Sequence, residues 1–385
     1  MYGYCWCIGQ KIDGLAKHHF LSAHFNKSYL RAYSDVSNPT GTIRVRPATI
    51  PSHWMIGART RLVDSWTPAL EIIRLPAIQL KEASLKLSII ENGSKAPRQS
   101  LRRRWRNALH CEPQVIEGTE GTAYFDARFD GLHNFSHAFL FVAPLALLAQ
   151  NFCKENARFE NFAVLVRSTA KPFATEALEA FGFNVIRSDA HLRAPIVKVE
   201  EHGHVPSLRL CHNLLPFSLA EVISAGAETP KKIYLARRGN RSIRNERQID
   251  VIIEEFGYKK IFLEDFAVIE QIRLVSLATN IVALHGAALG PLVCRHILDR
   301  CELRIVEIFG PGYIVSVYRE MTVLLGGSYI AVRGRVSPDI VRDIDQRGNS
   351  RAHESTQVDL DPESLKIAIK WSEGSEIEPI CQMVF

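Results

Sequence analysis

The feature that most constrains the fold of this chain is a regular alternation of short apolar runs with helical periods from Ile233 onward. Such alternation is typical of βαβ units, in which a helix follows each strand and packs on a parallel sheet. Five strands alternating with four helices over about a hundred residues predict one complete Rossmann-like domain. The predicted strands are residues 233–236, 260–263, 280–284, 303–308 and 329–332.

The helix between the first two of these strands has clear start and stop signals. Asn245 can cap its N-terminus, Gln248 occupies the capping-box position, and Gly257 can end it. A second helix is predicted over residues 267–278, and a third directly after His285. The apolar face of the first helix follows the i, i+3, i+4, i+7 spacing and consists of Ile249, Ile252, Ile253 and Phe256.

The first half of the chain carries a weaker α/β pattern. Strands are predicted at residues 43–46, 85–90, 123–125, 162–166, 184–186 and 196–199, and helices at 135–150 and 173–181. Prolines at positions 206, 216 and 230 interrupt the pattern and indicate a linker. We therefore predict two Rossmann-like lobes, residues 1–215 and 216–336, followed by a tail over 337–385 with a short helix at 363–371.

The amino-acid composition indicates a globular protein but does not identify its ligand. The chain of 385 residues is 46% hydrophobic and 23% charged, which is the balance of a globular protein. The apolar run 138–149 is too short to span a bilayer and contains Pro144, so we expect a buried helix. The net charge of +6 favours an anionic partner, and nucleotide, lipid phosphate and nucleic acid all remain open.

Cellular location and metal content follow from two further observations. The N-terminal residues lack the basic, apolar and small-residue regions of a signal peptide, so we expect a cytoplasmic protein. The eight cysteines are scattered, and Cys5 and Cys7 have neither zinc-knuckle nor redox spacing.

The first candidate ligand site is the loop after the strand 233–236. It carries four arginines, Arg237, Arg238, Arg241 and Arg244. The guanidinium fork matches pairs of phosphate oxygens, and loops at the carboxyl ends of parallel strands are where ligands bind in α/β sheets. The alternative is a solvated basic loop without a ligand.

The second candidate site is the turn after the strand 280–284. His285 is followed by Gly286, Ala287 and Ala288, so a ligand could approach the backbone closely, and the first turn of the next helix favours an anion. A glycine at such a turn can also serve packing alone.

The third candidate is Glu307, the one carboxylate at the end of an otherwise apolar strand. A carboxylate in this place can accept hydrogen bonds from both hydroxyls of a ribose. An ion pair with a neighbouring arginine is the alternative.

The fourth candidate is the segment 124–137, which brings together Asp126, Asp130, His133 and His137. An aspartate or a histidine in a cleft between lobes could act as a general base. A histidine on this mostly apolar helix is more often a hydrogen-bonded core or capping residue.

The run from Ile233 to Val293 resembles the donor-domain signature of family 61 glycosyltransferases. That family includes bacterial capsular polysaccharide transferases and plant and animal xylosyl- and N-acetylglucosaminyltransferases. The resemblance rests on the arginine after the strand, the Arg-Asn-Glu helix start at 244–246, the Glu-Gln pair at 270–271 and the His-Gly-Ala turn at 285–287. The segment HNFSH at 133–137 is similar to an element of the family's N-terminal lobe.

The resemblance implies a GT-B-like α/β fold with a cleft between two lobes, and an inverting transferase. It implies a nucleotide diphosphate sugar as donor substrate, with no required metal or other cofactor. Arg241 and Arg244 would hold the diphosphate, the residues 285–288 would border it, and Glu307 would hold the ribose. Arg237 and Asn245 complete the predicted donor-binding set. Leu289-Gly290-Pro291 departs from the Leu-Thr-Asn usual in the family, so contacts made by that asparagine have no counterpart here.

The implied reaction is direct displacement by an acceptor hydroxyl. Asp130 and His137 are the candidate bases, and His285 is the catalytic candidate beside the phosphates. The predicted acceptor is an oligosaccharide or lipid-linked glycan in capsule or other surface polysaccharide synthesis, with peripheral contact to the inner face of the membrane. Nucleic acid is not an expected partner.

Other classes of protein fit the sequence less well. A metal-dependent GT-A transferase would need an Asp-x-Asp at a strand end, and the instance at residues 359–361 lies in the polar tail. No Gly-x-Gly-x-x-Gly supports an NAD-linked enzyme. A catalytically inactive homologue, or a nucleic-acid-binding protein that uses LRRRWR at 101–106, remains the alternative.

Overall fold

The structure is a computed structural model, and the chain divides into two compact units. One unit comprises Met1–Ala48 and Lys81–Val222, and the other comprises Thr49–Leu80 and Ile223–Phe385. The structure describes residues 41–45, 48–61, 67–80, 83–91, 93, 114–128, 132–156, 158–202, 219, 221, 223, 228–298, 303–312, 314–337, 340 and 357–374.

Both units contain sheets with parallel strands and helices, which confirms the predicted α/β class. The strands in chain order are β1 Gly41–Val45, β2 Ala48–Ile50, β3 His53–Arg61, β4 Thr67–Leu75, β5 Ile78–Leu80, β6 Ala83–Ile90, β7 Val115–Glu117, β8 Thr122–Asp126, β9 Asn161–Val166, β10 Asn184–Arg187, β11 His191–Arg193, β12 Ile196–His202, β13 Lys232–Leu235, β14 Lys259–Ile261, β15 Asn280–Leu284, β16 Arg304–Phe309 and β17 Ser328–Val336. The α-helices are Phe135–His137, Ala143–Lys154, Pro172–Ala180, Glu246–Glu255, Val268–Leu277, Val317–Leu324 and Pro362–Ser372.

The first unit is built on a six-stranded mixed sheet with the order β1-β6-β12-β8-β9-β10. Strands β12, β8, β9 and β10 run parallel to one another, whereas β6 pairs antiparallel with both β1 and β12. A small two-stranded sheet in this unit joins β7 with β11, whereas the β2–β5 pair belongs mainly to the second unit. The predicted unit of strand 162–166, helix 173–181 and strand 184–186 is confirmed as β9, Pro172–Ala180 and β10.

The helical stretch Phe135–Lys154 is the one described segment long and apolar enough to cross a membrane. Within its most apolar window, 72% of the residues are buried inside the protein, and it packs against β8, β9 and β12. This burial is that of a core helix, as predicted for residues 138–149. The stretch contains a π-helical turn, Ala138–Val142, directly after the short helix Phe135–His137.

The second unit is built on a seven-stranded sheet with the order β14-β13-β15-β16-β17-β3-β4. The five predicted strands form the parallel series β14-β13-β15-β16-β17, and each predicted strand overlaps an observed one. Strand β3 extends this series in parallel beside β17, and β4 returns antiparallel as the edge.

The second unit therefore contains residues that the predicted boundaries assign elsewhere. Residues 49–80 lie in this unit rather than with the rest of 1–215, because β3 pairs with β17 and buries Ile56 in the second core. The predicted tail helix is Pro362–Ser372, and its Leu365, Ala368 and Ile369 are buried in the same core. The second unit is thus assembled from two distant stretches of chain.

The predicted helix after His285 is a 3-10 helix, Ala287–Leu298, rather than an α-helix. Pro291 lies inside it and has no backbone N–H to donate, which disfavours a regular α-helical ladder. Its residues Leu289, Leu292, Val293 and Cys294 are buried. The segment packs on the helix Val268–Leu277 and anchors the turn that carries His285.

Candidate active site

The candidate site lies at the carboxyl ends of β13, β15 and β16 in the second unit. These strands are parallel neighbours in the sheet, so the residues that follow them emerge at one edge. We call residues 237–245, which follow β13, the arginine loop. His285 follows β15, and Glu307 lies near the end of β16.

Arg237 projects toward the turn after β15. A Cβ atom built on Gly286 would lie 2.6 Å from a terminal nitrogen of the Arg237 guanidinium, so the absence of a side chain at 286 makes room for Arg237. Burial and then the charge of Arg241 lower the pKa of Arg237, and Glu264 opposes them. Arg237, which lies next to Gly286, is therefore exposed to the positive charge of Arg241, and an anion would stabilise this arrangement.

Arg241 adopts a backbone conformation that is rare for a residue with a side chain. Its φ of 66° is in the left-handed region, and among the described residues no other non-glycine residue has a positive φ. Gly239, two residues earlier, has a φ of 70°. Such conformations cost about 1–3 kcal/mol and cluster at functional sites, so the bend at Arg241 supports a ligand-binding role for the loop.

The other two arginines of the loop are in different surroundings. The exposed Arg238 forms a bidentate ion pair with Asp265, at 2.6 and 2.8 Å, and lies 4.0 Å over the ring of Phe262. Arg244 has an exposed side chain, and its backbone N–H donates to the Val358 carbonyl at 2.8 Å. A diphosphate contact by Arg244 stays a prediction.

Glu307 is completely buried and already bonded through both carboxylate oxygens. His285 Nδ1 lies 2.6 Å from one oxygen, and the Tyr329 hydroxyl donates to the other at 2.6 Å. The predicted role of Glu307 as a ribose ligand does not agree with this placement, because a side chain without solvent exposure offers no surface to a nucleotide. The alternative prediction was an ion pair with an arginine. In the described contacts the partners are instead His285 and Tyr329.

These contacts define the hydrogen-bonding state of His285. An ionised carboxylate only accepts, so Nδ1 of His285 carries the proton that Glu307 accepts. Burial, and next the charge of Glu307, raises the pKa of Tyr329 well above its ordinary value, so its hydroxyl remains a donor. The imidazole stacks on Phe309, with ring centroids 5.0 Å apart, and contacts Tyr318 at 5.8 Å. The result is a histidine fixed in position beside the arginine loop.

His53 on β3 and Arg319 on the helix Val317–Leu324 support this arrangement. The ring of His53 makes an edge contact with that of Tyr329, at a centroid distance of 5.7 Å. The buried Arg319 donates to His53 at 3.1 Å and to the Pro51 carbonyl at 2.7 Å. Burial, and secondarily the charge of Arg319, lowers the pKa of His53.

Sequence reasoning missed these supporting residues. One signal was present for Tyr329: Glu307 pairs with Ala331, and Tyr329 lies two positions earlier on the same face of the neighbouring strand. A buried carboxylate in a central strand needs polar partners, and the nearest strand on that face supplies one. No comparable local pattern indicates His53 or Arg319, which lie 266 residues apart in the chain.

Asn245 occupies the N-cap position of the helix Glu246–Glu255, but its side chain accepts no hydrogen bond from a backbone N–H of the first turn and donates to Gln248 Oε1 at 3.1 Å. Its amide also donates to the Leu360 carbonyl at 2.7 Å and accepts from the Leu360 N–H at 3.1 Å. The expected capping box with Gln248 is therefore not formed. Ala287 and Ala288 are partly exposed at the start of the 3-10 helix, next to buried Gly286.

The candidates of the first unit are only partly described. Asp126 and Arg128 form a buried bidentate pair, with oxygen to nitrogen distances of 2.9 and 2.8 Å, so Asp126 is a structural residue. Asp130 lies outside the described residues. His133 is exposed, whereas His137 is 6% exposed and its ring contacts that of Phe141 at 5.2 Å.

The short helix that contains His137 begins at a capping residue. Asn134 caps it through a bond from the Ser136 N–H at 3.1 Å, and the π-helical turn follows directly. π-Helical turns are frequent at functional sites. This placement keeps His137 as a base candidate.

Within the parts of the chain that the structure describes, no three or more His, Cys, Asp and Glu side chains are grouped as a metal site. The basic run at 101–106 lies outside these parts.

Comparison with known proteins gives the family of the chain. A search of curated proteins gives no match. The protein-family model described as Glycosyltransferase 61 matches residues 52–296, which is more than half of the chain and extends from β3 to the 3-10 helix after His285. The chain therefore belongs to glycosyltransferase family 61.

Proposed function

We propose that the protein is an inverting glycosyltransferase that moves a sugar from a nucleotide diphosphate sugar to a hydroxyl group of a growing glycan. Membership of family 61 supports glycosyl transfer in general. The observation that carries the finer proposal is the convergence of Arg237, Arg241 and the bare backbone at Gly286. This arrangement suits the diphosphate of the donor.

In the proposed reaction, the oxygen of an acceptor hydroxyl attacks the anomeric carbon from the face opposite the leaving group. The bond between that carbon and the phosphate oxygen breaks, and a nucleoside diphosphate leaves with the bonding electrons. Arg237 and Arg241 stabilise the negative charge that develops on the diphosphate. We propose that these residues serve in place of a divalent ion.

His285 has a specific part in this scheme. Its Nδ1 lies 2.6 Å from Glu307, and this hydrogen bond fixes the orientation of the imidazole ring. A charged imidazole donates from Nε2, and we assign this donation to an oxygen of the leaving diphosphate. Glu307 thus becomes a residue that orients His285, in place of the ribose ligand expected from its position in the strand.

The general base that removes the proton from the acceptor hydroxyl is assigned to the first unit, where the family carries the acceptor. His137 and Asp130 remain the two candidates. The proposal includes a GT-B arrangement of two lobes with a cleft, an oligosaccharide or lipid-linked acceptor in surface polysaccharide synthesis, and a cytoplasmic location with peripheral contact to the membrane.

The experiment that tests the donor site compares two adjacent arginines. We expect isothermal titration of the wild type with UDP, GDP, ADP, CDP and dTDP to detect binding of at least one, equally in EDTA and in magnesium. Arg237→Gln should weaken that binding by about ten- to a hundredfold, since a hydrogen bond to a charged group contributes about 1.5–3 kcal/mol.

Arg238→Gln is the matched control, because Arg238 is exposed and pairs with Asp265. It should leave the affinity within about twofold, which is the size of a surface ion-pair effect. Equal losses in both variants would indicate nonspecific attraction to a basic loop. No binding of any nucleoside diphosphate would contradict the proposed function.

A further inference from the structure

We propose that Asn245 is a positioning residue of the donor site, and that it holds the arginine loop through residues 357–374, here called the C-terminal segment. The inference rests on the proposed function, since it assigns the loop to donor binding. The family match ends at residue 296, so it does not cover the C-terminal segment.

The first observation is the unusual use of the Asn245 side chain. Asparagine is among the residues most favoured at an N-cap, where its oxygen normally accepts from the first turn of the helix. Here the side chain makes no such bond and pairs with both the N–H and the C=O of Leu360. Its amide therefore acts toward Leu360 as a peptide group of a neighbouring strand would.

The second observation is that the backbone of the loop is paired with the same segment. The Arg244 N–H donates to the Val358 carbonyl at 2.8 Å, and the Val358 N–H donates to the Ser242 carbonyl at 2.9 Å. Ile243 and Val358 form a parallel β-bridge. The Gln357 amide donates to the Ser242 hydroxyl at 3.2 Å. The second half of the arginine loop is thus bound as a short strand.

The third observation is that the C-terminal segment is itself anchored in the core. Val358 and Leu360 are 1% and 0% exposed, and the Arg335 N–H of β17 donates to the Asp359 carbonyl at 2.7 Å. The helix Pro362–Ser372 then packs on the sheet. The segment therefore connects the arginine loop to the rigid part of the unit.

These contacts explain how the bend at Arg241 persists. Arg241, with its positive φ, directly precedes the paired residues 242–245. A left-handed residue with a side chain is retained only where its surroundings determine its conformation. The Ser242, Arg244 and Asn245 contacts supply that restraint, so loss of the Asn245 bonds should release the loop and the arginine it presents.

The test separates this role from helix capping by means of two variants. Asn245→Ala removes both functions of the side chain. Asn245→Ser restores a good N-cap residue, but the serine side chain is too short to bond both groups of Leu360. Affinity is measured by isothermal titration with the nucleoside diphosphate that the wild type binds most tightly, and thermal unfolding is followed in parallel.

Glu373→Gln is the matched control for stability. Glu373 directly follows the helix Pro362–Ser372, where it contacts Lys232 Nζ at 2.7 Å and the Tyr258 hydroxyl at 3.1 Å. The variant loosens the C-terminal segment without touching the arginine loop. We expect it to lower the melting temperature and to keep the wild-type affinity.

We expect both Asn245 variants to bind the nucleotide at least tenfold more weakly, about 1.4 kcal/mol. The Glu373 variant should keep the wild-type affinity even where its melting temperature is as low as theirs. Wild-type affinity in both Asn245 variants would overturn the inference and leave the proposed function standing. Recovery of the wild-type affinity in Asn245→Ser alone would mean that Asn245 acts only as a helix cap, and would also overturn the inference. Absence of binding by the wild type would overturn the inference together with the proposed function.

Discussion

Replacing Gly286 by alanine should separate ligand binding from stability. The added Cβ would lie 2.6 Å from the guanidinium nitrogen of Arg237, where ordinary contacts begin near 3.4 Å. The guanidinium must therefore move by about 0.8 Å, the difference between these two distances. The end of a flexible side chain can make this movement, so the fold should tolerate the methyl group.

The expected loss of affinity follows from the displacement of one charged donor. A hydrogen bond to a charged group contributes about 1.5–3 kcal/mol, so nucleotide binding should weaken by about ten- to a hundredfold. Stability should stay the same or rise by up to about 1 kcal/mol. Gly286 is not among the glycines with positive φ, and alanine restricts the unfolded chain.

Gly257→Ala is expected to show the opposite result, a loss of stability without a loss of nucleotide affinity. Gly257 ends the helix Glu246–Glu255 with a φ of 73° and has open space around its Cβ position. Alanine there should cost about 1–2 kcal/mol of stability through the left-handed conformation, without altering nucleotide affinity. Titration calorimetry and thermal unfolding on both variants measure the two quantities. Unchanged affinity in Gly286→Ala would refute the assignment of Arg237 to the ligand.

Two further predictions concern the supporting residues. Glu307→Gln keeps the shape of the side chain but removes the charge beside His285. We expect kcat for sugar transfer to fall by about tenfold or more, with a smaller change in KM for the donor. In His285→Ala, kcat should fall by about a hundredfold. An unchanged kcat in the glutamine variant would remove Glu307 from the mechanism. Because the pKa of His53 is lowered on folding, its contribution to stability is present above its ordinary pKa near 6.5 and is lost as the pH falls through the folded value. Melting temperatures recorded between about pH 7 and about pH 5 should fall less steeply in His53→Gln than in the wild type, and identical slopes would contradict this.

The parallel core of the second unit could be predicted from sequence because its signals are local. Strands β13, β15, β16 and β17 each contain a short apolar run, and the helix Glu246–Glu255 has an apolar face at helical spacing and a terminal glycine. The addition of β3 and β4 to this sheet could not be predicted in the same way. It depends on a pairing between Met55 and Ala331, residues separated by most of the chain.

The candidate site shows the same limit. Arg237, Arg241 and His285 follow strands that lie side by side, so the order of the elements indicates that they lie at one edge. The roles of Glu307 and Asn245 depended on partners that no local pattern records. Tyr329 and His285 occupy both oxygens of Glu307, and the Asn245 side-chain oxygen accepts from the Leu360 N–H instead of from the helix that it was expected to cap.

The most direct test of the central claim is a crystal structure of the protein with the nucleoside diphosphate that gives the strongest binding, grown in EDTA. The account predicts phosphate oxygens within hydrogen-bonding distance of the Arg237 and Arg241 guanidinium groups and next to the Gly286 backbone. A nucleotide bound elsewhere, or one whose phosphates face solvent while Arg237 and Arg241 keep their present surroundings, would contradict it.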